Sequence, residues 1–314
     1  MGVSKSTVSR ALSGKGRIGA DTRARIQAYA KGQERAQIST SNIGVVLPTD
    51  AYTTNAPFFQ ECMLGISEIA TMLKYHVLVT TGMINDISDI QMLVEKQKVD
   101  GMILLRGVTD DRIIKYLSEK HFPTGLAGSC EYEDIIQVDA DNRSASANLM
   151  SLLIRQGYRQ FAMVVGDMAY QVNQSRCQGY YEALNQYGLD REQQLFYPNF
   201  INMEPLDNII CDIMEKKVEC VICGDDVICT RFMSRLQAEG YRIPRDISIV
   251  SLCNSANLDC FSPAVTAVNV SARQMGNVIA RQLISYLRGE SCNMKTMLSY
   301  EILLRKSVDK IYQM

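Results

Sequence analysis

The sequence predicts an α/β protein: two doubly wound, parallel-sheet lobes with a cleft between them, preceded by a short helical segment. Three observations predict this. From residue 43 onward, short continuous apolar runs alternate with helical stretches, the pattern of parallel strands covered on both faces. The runs are too many for one tidy sheet, so they divide into two lobes. The first 40 residues hold no such run and differ from the rest in charge.

That difference is hidden in the whole-chain value. The 314 residues carry a formal net charge of −1, with 46 % hydrophobic and 21 % charged residues. These are ordinary globular proportions and exclude a disordered or collagen-like chain. Residues 1–40 hold Lys5, Arg10, Lys15, Arg17, Arg23, Arg25, Lys31 and Arg35 against Asp21 and Glu34, a net +6, which leaves −7 for the remainder. A basic arm on an acidic body points to a polyanionic partner for the arm. No run approaches ~18 uninterrupted apolar residues, which excludes a membrane-spanning helix. The start, Met1 to Ser6, is polar and is not a secretory signal. The ten cysteines are scattered, as in a cytoplasmic protein with reduced thiols.

The elements follow in order. Ser4 can cap a helix through Leu12, because its side-chain oxygen satisfies free N–H groups of the first turn, and Val8, Ala11 and Leu12 share a face. Ser13-Gly14-Lys15-Gly16 breaks that helix. A second runs from about Asp21 to Gly32, a stop signal. Residues 1–32 form one unit, 33–42 a polar linker, and 43–314 the two-lobed body. Ile43–Leu47 is a buried strand stopped by Pro48. Then come helix 58–73, strand 77–80, helix 90–98, strand 101–105, helix 111–120, strand 124–128 and helix 144–156. Strand 161–165, helix 176–187, strand 195–197, helix 205–216, strand 220–223, helix 227–239, strand 247–252 and helix 272–288 complete the pattern.

The run Gly2-Val3-Ser4-Lys5-Ser6-Thr7-Val8-Ser9-Arg10-Ala11-Leu12-Ser13 resembles the turn and recognition helix of the LacI/GalR family of bacterial repressors. The resemblance covers most of the chain. It continues in Val138-Asp139-Ala140-Asp141-Asn142, in Gly157-Tyr158-Arg159, and in Arg176 with Gly179-Tyr180. It ends with Asp225-Asp226, with Gly240, Pro244 and Asp246 to Ile249, and with Leu304-Arg305-Lys306-Ser307. It implies a helix-turn-helix, a hinge and a periplasmic-binding-protein-like core that binds a small effector in its cleft. It also implies a homodimer whose two headpieces read palindromic operator DNA. Set against the family, the chain starts inside the turn and its hinge is short, so an N-terminally truncated arm is expected.

Lys5, Ser6 and Arg10 lie where the family contacts bases or backbone. Lys5 and Ser6 open the recognition helix, and Arg10 can fork to guanine O6 and N7. Thr7 and Ser9 are short hydroxyl donors suited to phosphate. In the cleft, Arg176 occupies the position of the family's effector arginine, and its fork can hold two hydroxyls or a carboxylate. Asp225 stands at a strand end where it can accept from ligand hydroxyls. Phe59 is the expected stacking wall, with Phe58 its neighbour, and Phe200 supplies a further pocket aromatic; Asp50 is a weaker candidate. Cys253 stands where the family typically carries Asp. A thiol cannot accept two strong hydrogen bonds, so the effector class stays open between a sugar or derivative and a less polar or acidic molecule.

Other signals carry no chemistry. Cys220-x-x-Cys223 lies on a strand, where its two thiols face opposite ways. His76 and His121 sit beside apolar segments, and Asp225-Asp226 diverge too much for a hydrolytic dyad. No enzyme, metal or cofactor is expected. The expected function is an effector-controlled DNA-binding regulator, most simply a repressor. The alternative is a small-molecule-binding protein whose DNA arm is vestigial.

Overall fold

A computed structural model describes residues 39–48, 56–82, 86–109, 111–200 and 206–308, with Ala11, Gly19 and Thr22. The expected helices of residues 1–32 fall almost wholly outside the described residues, as do Lys5, Ser6, Thr7, Ser9, Arg10 and Asp50.

The chain forms two sheets of six strands each. The first contains β1 (Asn42–Pro48), β2 (His76–Gly82), β3 (Gly101–Leu104), β4 (Thr124–Ala127), β5 (Ile136–Ala140) and β11 (Lys295–Leu298), in the order β11-β5-β4-β3-β1-β2. All its pairings are parallel. The second contains β6 (Phe161–Val164), β7 (Leu195–Tyr197), β8 (Cys220–Cys223), β9 (Ser248–Ser251), β10 (Thr266–Asn269) and β12 (Glu301–Leu303), in the order β12-β10-β9-β8-β6-β7. Only β10–β12 is antiparallel. The doubly wound, two-lobed architecture expected from the sequence is the one found.

Nine helices are described in the body: α1 (Pro57–Met72), α2 (Ser88–Glu95), α3 (Arg112–Glu119), α4 (Asn142–Arg155), α5 (Gln171–Gln186), α6 (Leu206–Glu215), α7 (Asp226–Ala238), α8 (Ala256–Asp259) and α9 (Ala272–Leu287). Each sheet buries both faces. In β8, Cys220 and Ile222 join one core while Val221 and Cys223 join the other. The Cys-x-x-Cys pair is thereby split across the sheet, as strand periodicity requires. All ten cysteines are free.

The chain passes between lobes three times: from β5 into α4, from β10 into α9, and from β11 into β12. The strands that make the last two passes are short, and β11 is largely exposed, with Met297 at 62 %. They carry no apolar run, which is why no strand was expected there.

The two lobes repeat one device. The ninth residue of α1 and of α5 is glycine, Gly65 and Gly179, and the twelfth is glutamate, Glu68 and Glu182. Glu68 pairs with Arg273 of α9, and Glu182 with Arg143 of α4. A Cβ on Gly65 would stand 2.2 Å from the Arg273 carbonyl oxygen, and one on Gly179 stands 2.1 Å from that of Arg143. Glycine lets the helix backbones touch at both places.

The end of the expected linker is tied down. Ser39 Oγ, the Thr40 amide, Thr40 Oγ1 and the Ser41 amide all donate to the Asp100 carboxylate, at 2.7–2.9 Å. Residues 39–41 are thereby fastened to the segment ahead of β3, and Asn42 already belongs to β1.

Candidate effector site

In open parallel α/β sheets, ligands bind beyond the carboxyl ends of the strands. On the second lobe those ends bring three segments together. Gly224 leaves β8 so close to β6 that a Cβ would lie 3.1 Å from Val165 Cα, and its amide donates to the Val164 carbonyl at 2.7 Å. Asp225 follows and caps α7, accepting from the Ile228 amide at 2.9 Å. The cap holds one carboxylate oxygen at the helix N-terminus, which favours negative charge there.

From β9 the chain turns at Ser251. Its hydroxyl donates to the Cys253 carbonyl at 2.6 Å and accepts from the Cys253 amide at 3.2 Å. Asn254 donates to Asn269 at 3.0 Å and accepts from Arg305 at 2.9 Å, which ties this turn to the crossover from β10.

Arg176 comes from α5. The helix begins at Gln171, so Arg176 lies in its second turn rather than at its start, as the sequence suggested. Its guanidinium Nη1 donates to the Gly224 carbonyl at 2.8 Å, while its Nε is buried without a hydrogen-bond partner. Fully buried Ser146 of α4 donates to the Arg176 carbonyl at 2.7 Å and fixes the helix beneath the side chain. Arg176, Asp225 and Cys253 therefore converge from three segments on one wall.

Asp226 joins them, and sequence reasoning passed it over. It is 2 % exposed, and its Oδ2 is buried without a hydrogen-bond partner. Burial, with Asp225 next in effect, pushes its pKa up from 3.8 to about 6; Ser255, its own amide and Arg176 pull the other way. Burial likewise pushes the Cys253 thiol up to about 12, with Asp226 adding to the rise and Arg176 opposing it. Cys253 is thus a neutral thiol at pH 7, and the buried carboxylate of the cluster belongs to Asp226. The Asp-Asp doublet at a strand end was the available signal. Its first member caps the helix, and only the fold shows that its second is enclosed.

The aromatic candidates fare differently. Phe58 and Phe59 sit at the start of α1 in a T-shaped pair at 5.4 Å, both half-buried against the first-lobe core. Phe200 is a correction. It is 2 % exposed and packs against Phe232 at 6.0 Å within the second-lobe core. Its loop position concealed that burial, and its ring offers no face to a ligand.

The raised Asp226 pKa gives a stability prediction. Below about 4 the folded and unfolded chains both hold this proton. As pH rises to about 6 the unfolded chain loses it while the folded chain keeps it, so folding weakens, and the full cost of roughly 3 kcal/mol is present above pH 6. Asp226→Asn is expected to remove that slope. Urea unfolding between pH 4.5 and 7.5 should show the variant gaining on the parent as pH rises; a pH-independent difference between the two contradicts the assignment.

Comparison with known proteins gives four further observations. Residues 150–308 match the family model for the periplasmic binding protein-like domain. The HTH-type transcriptional regulator MalR of Streptococcus pneumoniae is 31 % identical over 62 % of this chain and 63 % of its own. Catabolite control protein A of Priestia megaterium is 25 % identical over 92 % of this chain and 90 % of its own. Among solved structures, a LacI transcriptional regulator of Bacillus cereus subsp. cytotoxis is similar with a TM-score of 0.78 and 28 % identity, covering 86 % of this chain and 99 % of that one.

Proposed function

The chain belongs to the LacI/GalR family of transcriptional regulators, with a periplasmic binding protein-like domain, and from that premise we propose that it is a cytoplasmic, homodimeric repressor controlled by a sugar or sugar derivative. The observation that carries the effector reading is the wall built by Arg176, Asp225 and Cys253 at the strand ends. Arg176 keeps a buried donor without a partner, and Asp225 brings a carboxylate acceptor to the same wall. Ligand hydroxyls both donate and accept, so they suit this pair. Cys253 adds a neutral, polarisable surface where a second carboxylate would fork to two hydroxyls, so the effector is held chiefly through Arg176.

Lys5, Ser6, Thr7, Ser9 and Arg10 are the residues we assign to the operator. Phosphate and base contacts by a basic arm make binding strongly salt-dependent. Effector binding favours one arrangement of the two lobes and so changes the spacing of the two headpieces on a palindromic site. In this reading the protein catalyses nothing, and the small molecule is a signal.

The test is a mobility shift of the upstream promoter fragment with the full chain, at increasing salt. A shift at low salt, lost as salt rises, is expected. No shift at low salt would leave a small-molecule-binding protein that does not act on that DNA.

A further inference from the structure

The lobes also meet away from the three chain crossovers. Residues 106–109 leave β3 on the first lobe, and residues 165–170 lead from β6 into α5 on the second. The Thr109 amide donates to the Ala169 carbonyl at 2.9 Å, and the Gln171 amide to the Gly107 carbonyl at 3.4 Å. These bonds bracket Val108 and Tyr170 as an antiparallel bridge. Side chains reinforce it: Gln174 Nε2 donates to Thr109 Oγ1 at 3.0 Å, and the Arg106 guanidinium lies 3.5 Å from the centre of the Tyr170 ring. Val108 and Tyr170 are 6 % and 7 % exposed, so the bridged pair is buried, while the Gln174–Thr109 bond lies at the exposed rim.

Its place in the topology gives it a role. The crossovers leave or enter β5 and β11 in one sheet and β10 and β12 in the other, all at one edge. In sheet order β3 lies two strands from β5, and β6 lies three strands from β10. At ~4.8 Å per strand, the bridge stands roughly 10–14 Å from the crossovers. Asp225 and Cys253 follow β8 and β9, which lie between β10 and β6. The candidate site is thus flanked by covalent connections on one side and by this bridge on the other.

We propose that residues 106–109 and 169–174 form a latch that holds the cleft shut opposite the crossovers and must part for a small molecule to enter or leave. The role in ligand passage rests on the cleft reading above; the latch itself does not need the effector's identity. Rotation about the crossovers separates β3 from β6 and breaks the four latch contacts together. Gln174 is two residues before Arg176 on the same helix, so parting the latch frees the start of the helix that aims the arginine. Two backbone bonds, one amide–hydroxyl bond and one stacked cation are few enough to open reversibly.

Amide hydrogen exchange on the full chain without ligand is the test. The Thr109 and Gln171 amides should exchange in a common opening event, ahead of the amides within β3 and β6. The double variant Arg106→Ala/Gln174→Ala should speed both by about tenfold, from one lost hydrogen bond and one lost cation–π contact, with β3 and β6 unchanged. A second variant works in the opposite direction. Val108 and Tyr170 form the close, non-hydrogen-bonded type of pair, with Cα atoms ~4.5 Å apart, which lies within disulfide range. Val108→Cys/Tyr170→Cys, oxidised and mapped to that peptide pair by mass spectrometry, should slow both amides at least as much, and reductant should restore them. Independent exchange of the two amides, no acceleration in the first variant, or no slowing in the cross-linked form would each overturn the latch. None of these readouts uses a ligand, so they stand or fall separately from the effector assignment.

Discussion

Gly179→Ala is expected to lower the melting temperature by roughly 6–12 °C, the equivalent of about 3 kcal/mol in a lobe of this size. The new Cβ would stand 2.1 Å from the Arg143 carbonyl oxygen and 3.0 Å from the Ala147 amide nitrogen. Both obstacles are backbone, so no side chain can swing aside. The α4 and α5 helices must separate. The better helix propensity of alanine, about 1 kcal/mol, does not offset that. Separation also stretches the Ser146–Arg176 hydrogen bond, so the change reaches the candidate site. Calorimetry checks it, and a melting temperature within ~2 °C of the parent would mean that the helices are not in backbone contact.

Arg176→Ala is expected to remove most of the effector-induced stabilisation. A ligand at a hundred times its Kd stabilises a protein by about 2.7 kcal/mol. Losing a forked, charge-assisted donor costs about 3 kcal/mol of binding, roughly a hundredfold in Kd. At the same ligand concentration the variant is then only half occupied, and stabilisation falls to about 0.4 kcal/mol. Thermal shift across a panel of mono- and disaccharides and their acidic and phosphorylated derivatives measures this. A compound that stabilises parent and variant equally would remove Arg176 from the site.

These residues also show what the sequence made legible. Strands β1, β3, β6, β8 and β9 are buried on both faces, so their apolar runs announce them without help from distant chain. Strands β10, β11 and β12 each hold no more than two adjacent apolar residues, and it is pairing, of β10 with β9 and β12 and of β11 with distant β5, that sets them. The three passes between lobes, which define the architecture, were therefore the least visible part. Helix starts slipped for a related reason. The stretch Gln171 to Ser175 is polar and its cap residue, Tyr170, makes no side-chain cap bond, so the start of α5 is fixed by Asn173 and Gln174, which donate back to the Asp167 and Met168 carbonyls, and by the bridge to the first lobe.

The site was legible where a pattern pointed to a position and hidden where burial decided. Arg176, Asp225 and Cys253 came from the family resemblance and do converge. Phe200 looked like a loop aromatic, but its ring turned inward to Phe232. Asp226 looked like the redundant half of a doublet, and burial, with Asp225 beside it, gives it the raised pKa against the pull of Ser255 and Arg176. No periodicity encodes which member of an adjacent pair faces inward at a strand-to-helix corner.

The central claim is that occupation of the Arg176 site alters DNA binding. The most direct measurement is fluorescence anisotropy of the labelled promoter fragment with the full chain and with Arg176→Ala, each with and without the sugar that stabilises the parent protein. At least about a tenfold change in DNA affinity is expected on adding saturating sugar to the parent, equivalent to a coupling of about 1.4 kcal/mol, and no more than about a twofold change in the variant at the same sugar concentration. Equal DNA affinity of the parent with and without a sugar shown to be bound would contradict it.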